Sequence, residues 1–442
     1  MSARSAVAEA GVEPLGGNYF VAVYPPFSAW RQQNSDRIAS TLHDLPADAS
    51  VPWGLYVHIP FCEKRCNYCY YLSFAGTSRD ELARYASRLV REASWYAELP
   101  RFANRPPRFV YFGGGTPSLL PVAELAALLT QIRSQLRWDQ AEEITFECSP
   151  QSVNAEKLAI LHAAGVNRIS LGVQQLDDEV LRLSGRIHLV ADVERAWNEI
   201  RAFDFAEVNF DLIAGLPGQT DASFVDGLKR AIALDPDCIT IYQLEVPGNT
   251  PLFRSLGDEH ALKALADWET KRQRVVTAFR ILQEHGYESR NAYSAVRHSR
   301  HPRFVYTEDQ YHGADLVGIG LSSFSYVAGT HYQNTTSVRE YSALIDGGQL
   351  PAVRSYVLSS EERMIREFIL QLKLGSVRRE HFRHKFAADP VERFAFQLRQ
   401  LEASGLIAID ETSIGLTAVG LVRVDRLLPA FYLEEHQACP SW

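Results

Sequence analysis

Long apolar runs are missing from this chain. No hydrophobic stretch approaches the roughly 18 residues needed to cross a bilayer, so no membrane span is predicted. The opening stretch MSARSAVAEAGVEPLGG has no apolar core segment, so no secretory signal is expected and the chain is read as cytoplasmic. An excess of positive charge is missing too. The 442 residues carry a formal net charge of −8, which gives no basic field to gather nucleic acid. Cysteine is sparse. Six cysteines in so long a chain do not make a disulfide framework, and they point to metal or redox use in a reducing compartment. Internal repeats and low-complexity tracts are absent. What remains is 46% hydrophobic and long enough for two or three domains with a large buried core.

Residues 1–50 read as an irregular arm. Gly16, Gly17, Pro25 and Pro26 break any long helix, while Tyr19, Phe20, Tyr24, Phe27 and Trp30 offer apolar anchors against another surface. From Leu55 onward short apolar runs alternate with helix-length amphipathic stretches. The runs are LYVHI, FVYF, ITFEC, ISLGV, VNFDLIAGL and ITIYQLEV, and this alternation predicts parallel strands with helical crossovers. Polar or turn residues fall at the ends of these strands: Pro60–Cys62, Gly113–Pro117, Glu147, Gln174, Asp211 and Gly215–Pro217. Strand C-termini meet at one face in a (β/α) barrel, where active sites sit. The α/β fold expected is therefore a partial (β/α)6 barrel over residues 51–290. Residues 291–355, rich in Gly and Ser, are expected to form a loop-rich cover closing the active site. Residues 356–442 are expected to form a helical, winged-helix-like domain with two short strands, LIAID and IGLTA.

Directly after the first strand, HIPFCEKRCNYCYYLSF places Cys62, Cys66 and Cys69 in a C-x3-C-x2-C spacing. A four-iron cluster normally takes four thiolates, so three from one loop leave one iron open to a small ligand. Structural zinc takes a fourth Cys or His in paired spacing, and His58 lies too close in the strand to supply it. Cys148 and Cys238 sit in apolar strands and read as buried core thiols; Cys439 reads as incidental. The basic runs RHSRHPRF and RREHFRHKF read as solvated faces, and His162, His188 and His260 as structural or exposed.

This three-cysteine loop resembles the radical S-adenosylmethionine (SAM) superfamily. With YFGGGTPSLL, FECSP, RISLGVQ, NFDLIAGLPGQT and DLVGIGLSSFS, the stretch from about residue 54 to 345 is similar to the oxygen-independent coproporphyrinogen III oxidase-like (HemN-like) family. The resemblance implies a [4Fe–4S] cluster on Cys62, Cys66 and Cys69 and two molecules of SAM. It assigns Tyr56 to the cluster-bound SAM, Tyr68 to its adenine, and Gly113, Gly114, Gly115 and Thr116 to its amino acid end. It assigns Glu147 to SAM ribose or amino groups, and Gln174, Arg186 and Asp211 to the second SAM, with Arg186 gripping a carboxylate through two prongs. Phe324 is assigned to an apolar contact with adenine. Taken singly, the glycine turn also reads as a tight connection, Glu147 and Asp211 as helix caps, and Gln174 as a partner for backbone groups.

Two departures from the family pattern stand out. Tyr71 occupies the place of the oxidases' fourth cysteine, and RNAYSAVRHSRHPRF replaces a His-Phe-Ala-Arg-Pro stretch. They direct the expectation to the class C methyltransferase and cyclopropanase branch, in which a methyl or methylene group passes from the second SAM to an sp2 carbon of a natural-product substrate. The alternatives are an oxidative decarboxylase of the coproporphyrinogen type and a heme chaperone. The expected partners are a small-molecule substrate and an electron donor such as flavodoxin or ferredoxin, without nucleic acid or membrane.

Overall fold

The computed structural model describes residues 20–255, 265–298 and 303–437. Gly16, Gly17, Tyr19, His260, Cys439 and part of the 297–304 basic run lie outside these residues. No helix among the described residues is long and apolar enough to cross a membrane.

Six parallel strands form the centre: β1 (Trp53–Ile59), β2 (Phe109–Gly114), β3 (Glu143–Cys148), β4 (Arg168–Gln174), β5 (Glu207–Ala214) and β6 (Cys238–Gln243). They pair in sequence order, each with the next. The order is linear, with β1 and β6 unpaired to each other, so the barrel is open as expected. Alternation along each strand sets the two faces. Leu55 and Val57, Val110 and Phe112, Ile144 and Phe146, Ile169 and Leu171, Val208 and Phe210, and Ile239 and Ile241 are buried in one apolar cluster shared with the crossover helices. The opposite parity carries Tyr56, Tyr111, Glu147, Ser170, Asp211 and Tyr242, and this is the polar inner face. Side-chain caps start several crossover helices: Ser78, Asn154, Asp177 and Thr220 each accept from the first turn.

The N-terminal face of the barrel is sealed by charge. Glu207 is held by Arg168 at 2.8 Å and by Arg290 at 2.8 Å, with the three side chains each under 10% exposed. Phe304 lies over the Arg168 guanidinium at 4.1 Å, and the Val305 amide donates to Glu143 at 2.7 Å. The open cavity lies at the opposite end, at the strand C-termini.

Residues 291–355 are not the expected loop-rich cover. They continue the sheet: β7 (Asp315–Ile319) pairs parallel to β1, and antiparallel strands Phe324–Val327, Thr330–Asn334 and Ala352–Val357 follow. Among the described residues the sheet has thirteen strands, with Ser294–Arg297 and Tyr287–Ser289 on the far edge beyond β6. The Gly and Ser residues that suggested a loop are needed where chains pass closely. A Cβ at Gly318 would lie 2.5 Å from the Phe324 carbonyl oxygen, and the Ser325 hydroxyl accepts from the Gly318 amide. The arm is also more ordered than its prolines suggest, with a helix at Ser35–His43 capped by Asn34 and a two-residue strand paired to Ala352–Val357. The C-terminal domain has its own apolar core and three strands rather than two, the added one being Ser376–Arg378. Its basic helix is largely spent internally: Arg379 and Arg383 converge on Asp389, and His381 and Lys385 on buried Glu367.

Candidate active site

A cavity of about 300 Å³ opens at the C-terminal face of the barrel. Its walls bring together Cys62, Cys66, Cys69, Tyr68, Gly114, Gly115, Thr116, Glu147, Gln174, Arg186 and Asp211. The roof is Leu421–Arg426 of the C-terminal domain, tied to the barrel where Gln243 donates to the Val422 carbonyl at 2.8 Å.

The cysteine loop is fixed by its own backbone and by neighbours. The Cys69 amide donates to the Cys66 carbonyl at 3.2 Å, and Arg65 donates to the Cys69 carbonyl at 3.0 Å. Asn67 is pinned between the Ser184 and Leu252 backbones. Donors already point at two sulfurs: Thr116 Oγ1 at 3.6 Å from Cys62 Sγ, and Arg186 Nη1 at 3.3 Å from Cys66 Sγ. Burial pushes the Cys62 thiol up and the Cys69 thiol up to about 11, so these thiolates need a cation in place of the proton. Among the described residues no three His, Cys, Asp or Glu side chains close around one ion's position. Three thiols on one loop suit a cluster that takes one cysteine per iron.

The glycine turn is built for close approach. Gly114 has φ +116° and lies against the His58 ring, which burial keeps neutral with a pKa of about 4. A Cβ on Gly115 would lie 2.7 Å from the Phe61 carbonyl oxygen. Glu147 accepts from the Tyr111 hydroxyl at 2.8 Å and from the Gly114 amide at 3.1 Å. Burial, with Asp211 nearby, raises its pKa to about 7. Asp211 accepts from Ser170 at 2.9 Å and Asn209 at 3.0 Å, and burial raises its pKa as well. Gln174 sits at φ +67° beside an irregularity in the β4–β5 register, an uncommon conformation for a residue with a side chain.

Arg186 does not offer the two-pronged grip expected of it. Nη1 faces Cys66; Nη2 donates to the Gly172 carbonyl at 2.9 Å and to His188 Nδ1 at 3.0 Å. Its Nε is buried and without a partner. His188 is structural, passing its own Nε2 hydrogen to the Val173 carbonyl. Three expected residues do not line the cavity. Gly113 packs on Glu147 and Tyr111. Tyr56 lies one layer down, its hydroxyl 3.1 Å from His58 Nδ1 and its ring stacked near Tyr111. Phe324 belongs to the antiparallel extension, edge-on to Phe27 at 5.5 Å, because residues 324–327 form a strand and not a cover. Cys148 is buried as expected but borders the cavity; Cys238 is fully buried. Tyr242, Tyr293, Ser170 and the 421–426 roof also line the cavity without having been expected there, and Tyr71, expected only as a replaced cysteine, joins them. Strand parity could have found Ser170 and Tyr242, which share the inward face with Asp211.

Comparison with known proteins agrees with this architecture. Residues 56–231 match the radical SAM superfamily, and residues 358–423 match the HemN C-terminal domain. The chain is 30% identical to the heme chaperone HemW of Bacillus subtilis over 85% of this chain and 98% of that one. It is 29% identical to the oxygen-independent coproporphyrinogen III oxidase of Pseudomonas aeruginosa over 86% of this chain and 87% of the relative. The structure of the Escherichia coli coproporphyrinogen III oxidase HemN superposes with a TM-score of 0.80 at 25% identity, covering 93% of this chain and 96% of that one. These relatives are oxidases and a chaperone, and they lend the class C methyltransferase branch no support. As in that superfamily, the cofactors are a [4Fe–4S] cluster and SAM. The chain belongs to the radical SAM superfamily, within the HemN-like family of coproporphyrinogen oxidases and heme chaperones.

Proposed function

We propose that this chain is an enzyme of the coproporphyrinogen-oxidase type: a hydrogen atom is taken from a propionate side chain of a tetrapyrrole, the side chain loses CO2 to become a vinyl group, and the one electron left over passes to a one-electron acceptor. The observation that carries the reading is the roof. The domain that matches the HemN C-terminal domain supplies Leu421–Arg426 to the same cavity that holds the cysteine loop. Cys62, Cys66 and Cys69 would hold the [4Fe–4S] cluster, which would supply the electron for reductive cleavage of SAM. The chain's own residues bind, orient and exclude water. The Gly114–Thr116 backbone receives the amino acid end of SAM, Tyr68 its adenine and Glu147 its ribose or amino group. Gln174, Arg186 and Asp211 hold a second SAM, with the unpartnered Arg186 Nε as the donor left for a carboxylate.

The test uses the anaerobically reconstituted chain with SAM, a low-potential reductant and coproporphyrinogen III. Release of CO2 together with 5′-deoxyadenosine is expected. Heme binding with no substrate-coupled SAM cleavage would replace this reading with the chaperone one, which the near-complete match to HemW favours. Release of S-adenosylhomocysteine would restore methyl transfer.

Glu147 gives a pH signature. Its pKa of about 7 lies above the usual carboxylate range, so the accepting carboxylate forms only as pH rises through that value. SAM affinity is expected to strengthen from pH 6 to pH 8, by up to about tenfold for a single ionisation. Calorimetry on Glu147→Gln should show the slope gone. An unchanged slope would remove Glu147 from SAM binding.

A further inference from the structure

The cavity has a wall that the reading above does not use. Among the described residues the exposed aromatic rings are Tyr71, Tyr242, Phe253 and Phe396. Two of them, Tyr71 at 50% and Tyr242 at 41%, stand inside the cavity. Each is backed by a second ring. Tyr70 stacks on Tyr71 at 4.7 Å and 25°, and Tyr293 lies near-parallel to Tyr242 at 6.3 Å and 28°. The Tyr293 ring is itself held, its hydroxyl donating to Asp425 at 2.5 Å, and the Tyr70 backbone is fixed where Asn249 donates to its carbonyl at 2.9 Å. Both front tyrosines lie within electrostatic reach of the Glu147 carboxylate, so they border the same part of the site.

Each front ring is braced on one side by its backing ring and stays about half exposed within the cavity. Rings already braced from behind lose little freedom when a ligand lies on them. A flat π-system gains from such a face in a way that a saturated ring of equal size does not. We infer that Tyr71 and Tyr242 form a stacking site for a flat aromatic ring of the substrate, of pyrrole to indole size. Tyr71 follows Cys69 by two residues, so this site holds the ring at a fixed place beside the cluster loop. The inference deepens the proposed function and rests on it only in taking this cavity as the substrate's.

The test compares two monoanionic acids of like size, 1-benzofuran-2-carboxylate and its saturated counterpart octahydro-1-benzofuran-2-carboxylate. Binding to the reconstituted chain with SAM is followed by anaerobic calorimetry. The flat acid is expected to bind about tenfold more tightly. Tyr71→Leu and Tyr242→Leu should each cut that preference about fivefold. Tyr71→Phe and Tyr242→Phe should keep it, and iron content should stay level in all four variants. Equal binding of the two acids overturns the inference, as does a preference that survives both leucine variants or is lost in the phenylalanine ones. The two proposals fail separately. A ring preference without coproporphyrinogen turnover sinks the tetrapyrrole reading alone; turnover without ring preference sinks the stacking site alone.

Discussion

Alanine at Cys62, Cys66 or Cys69 is expected to strip the reconstituted protein of its visible absorbance and of most of its iron, from about four per chain. The loop has little to put in their place. Its sulfurs are the only thiols on the 62–69 segment, and the backbone around them is fixed by Arg65 and Asn67. Cys148 and Cys238 are buried on β3 and β6 and cannot swing into the loop, so alanine there should leave the iron in place. Iron analysis and absorbance after anaerobic reconstitution decide the matter. Full iron content in all three loop variants would disprove the ligand set. Arg186→Ala is a milder companion to these, because it removes a cation from Cys66 but no ligand.

Gly114→Ala is expected to be nearly as damaging to SAM binding while sparing the cysteines. Two costs add. The φ of +116° is a conformation that side chains rarely adopt, worth about 1–3 kcal/mol. The new methyl would also lie 2.6 Å from the His58 ring, which is 6% exposed and has no room to retreat. Overpacking of that kind costs a further 1–3 kcal/mol or so. Moving His58 disturbs Tyr56, and moving the turn breaks the Gly114 amide contact with Glu147. A fall of many degrees in apo melting temperature and loss of measurable SAM binding are expected. Gly415→Ala is the control: nothing lies within 4 Å of the added carbon, and its melting temperature should barely move. Equal melting temperatures for the two variants would refute the steric account.

The barrel was legible because its strands state their two faces in their letters. LYVHI, ITFEC and VNFDL alternate apolar and polar residues, and the structure sets the apolar set against the helices and the polar set inward. The antiparallel extension was illegible for the opposite reason. Ser325, His331 and Asn334 are buried polar residues on short strands, satisfied by contacts that local sequence does not announce, such as His331 with the Tyr24 carbonyl and Asn334 with Glu92. The site divided in the same way. Residues at the ends of β1 to β5 were found from their position. Tyr71 was seen only as a missing cysteine, because an exposed ring shows its use only once the cavity around it is known. Phe324 was misplaced because its surroundings are set by a strand pairing and not by the motif that contains it.

The roof has one more consequence. The Val21 amide donates to Asp425 at 2.9 Å, and Lys373, also on Asp425 at 2.9 Å, donates to the Val21 carbonyl. Residues 404 positions apart thus share one partly buried knot above the cavity. On the ribosome that knot cannot tie until residue 425 has emerged, 356 positions after Cys69 (425 − 69). At roughly 5–20 residues per second the interval is about 20–70 seconds. Through all of it the cysteine loop has been made and its cover has not, so the site closes only after the barrel that carries the loop has been synthesised.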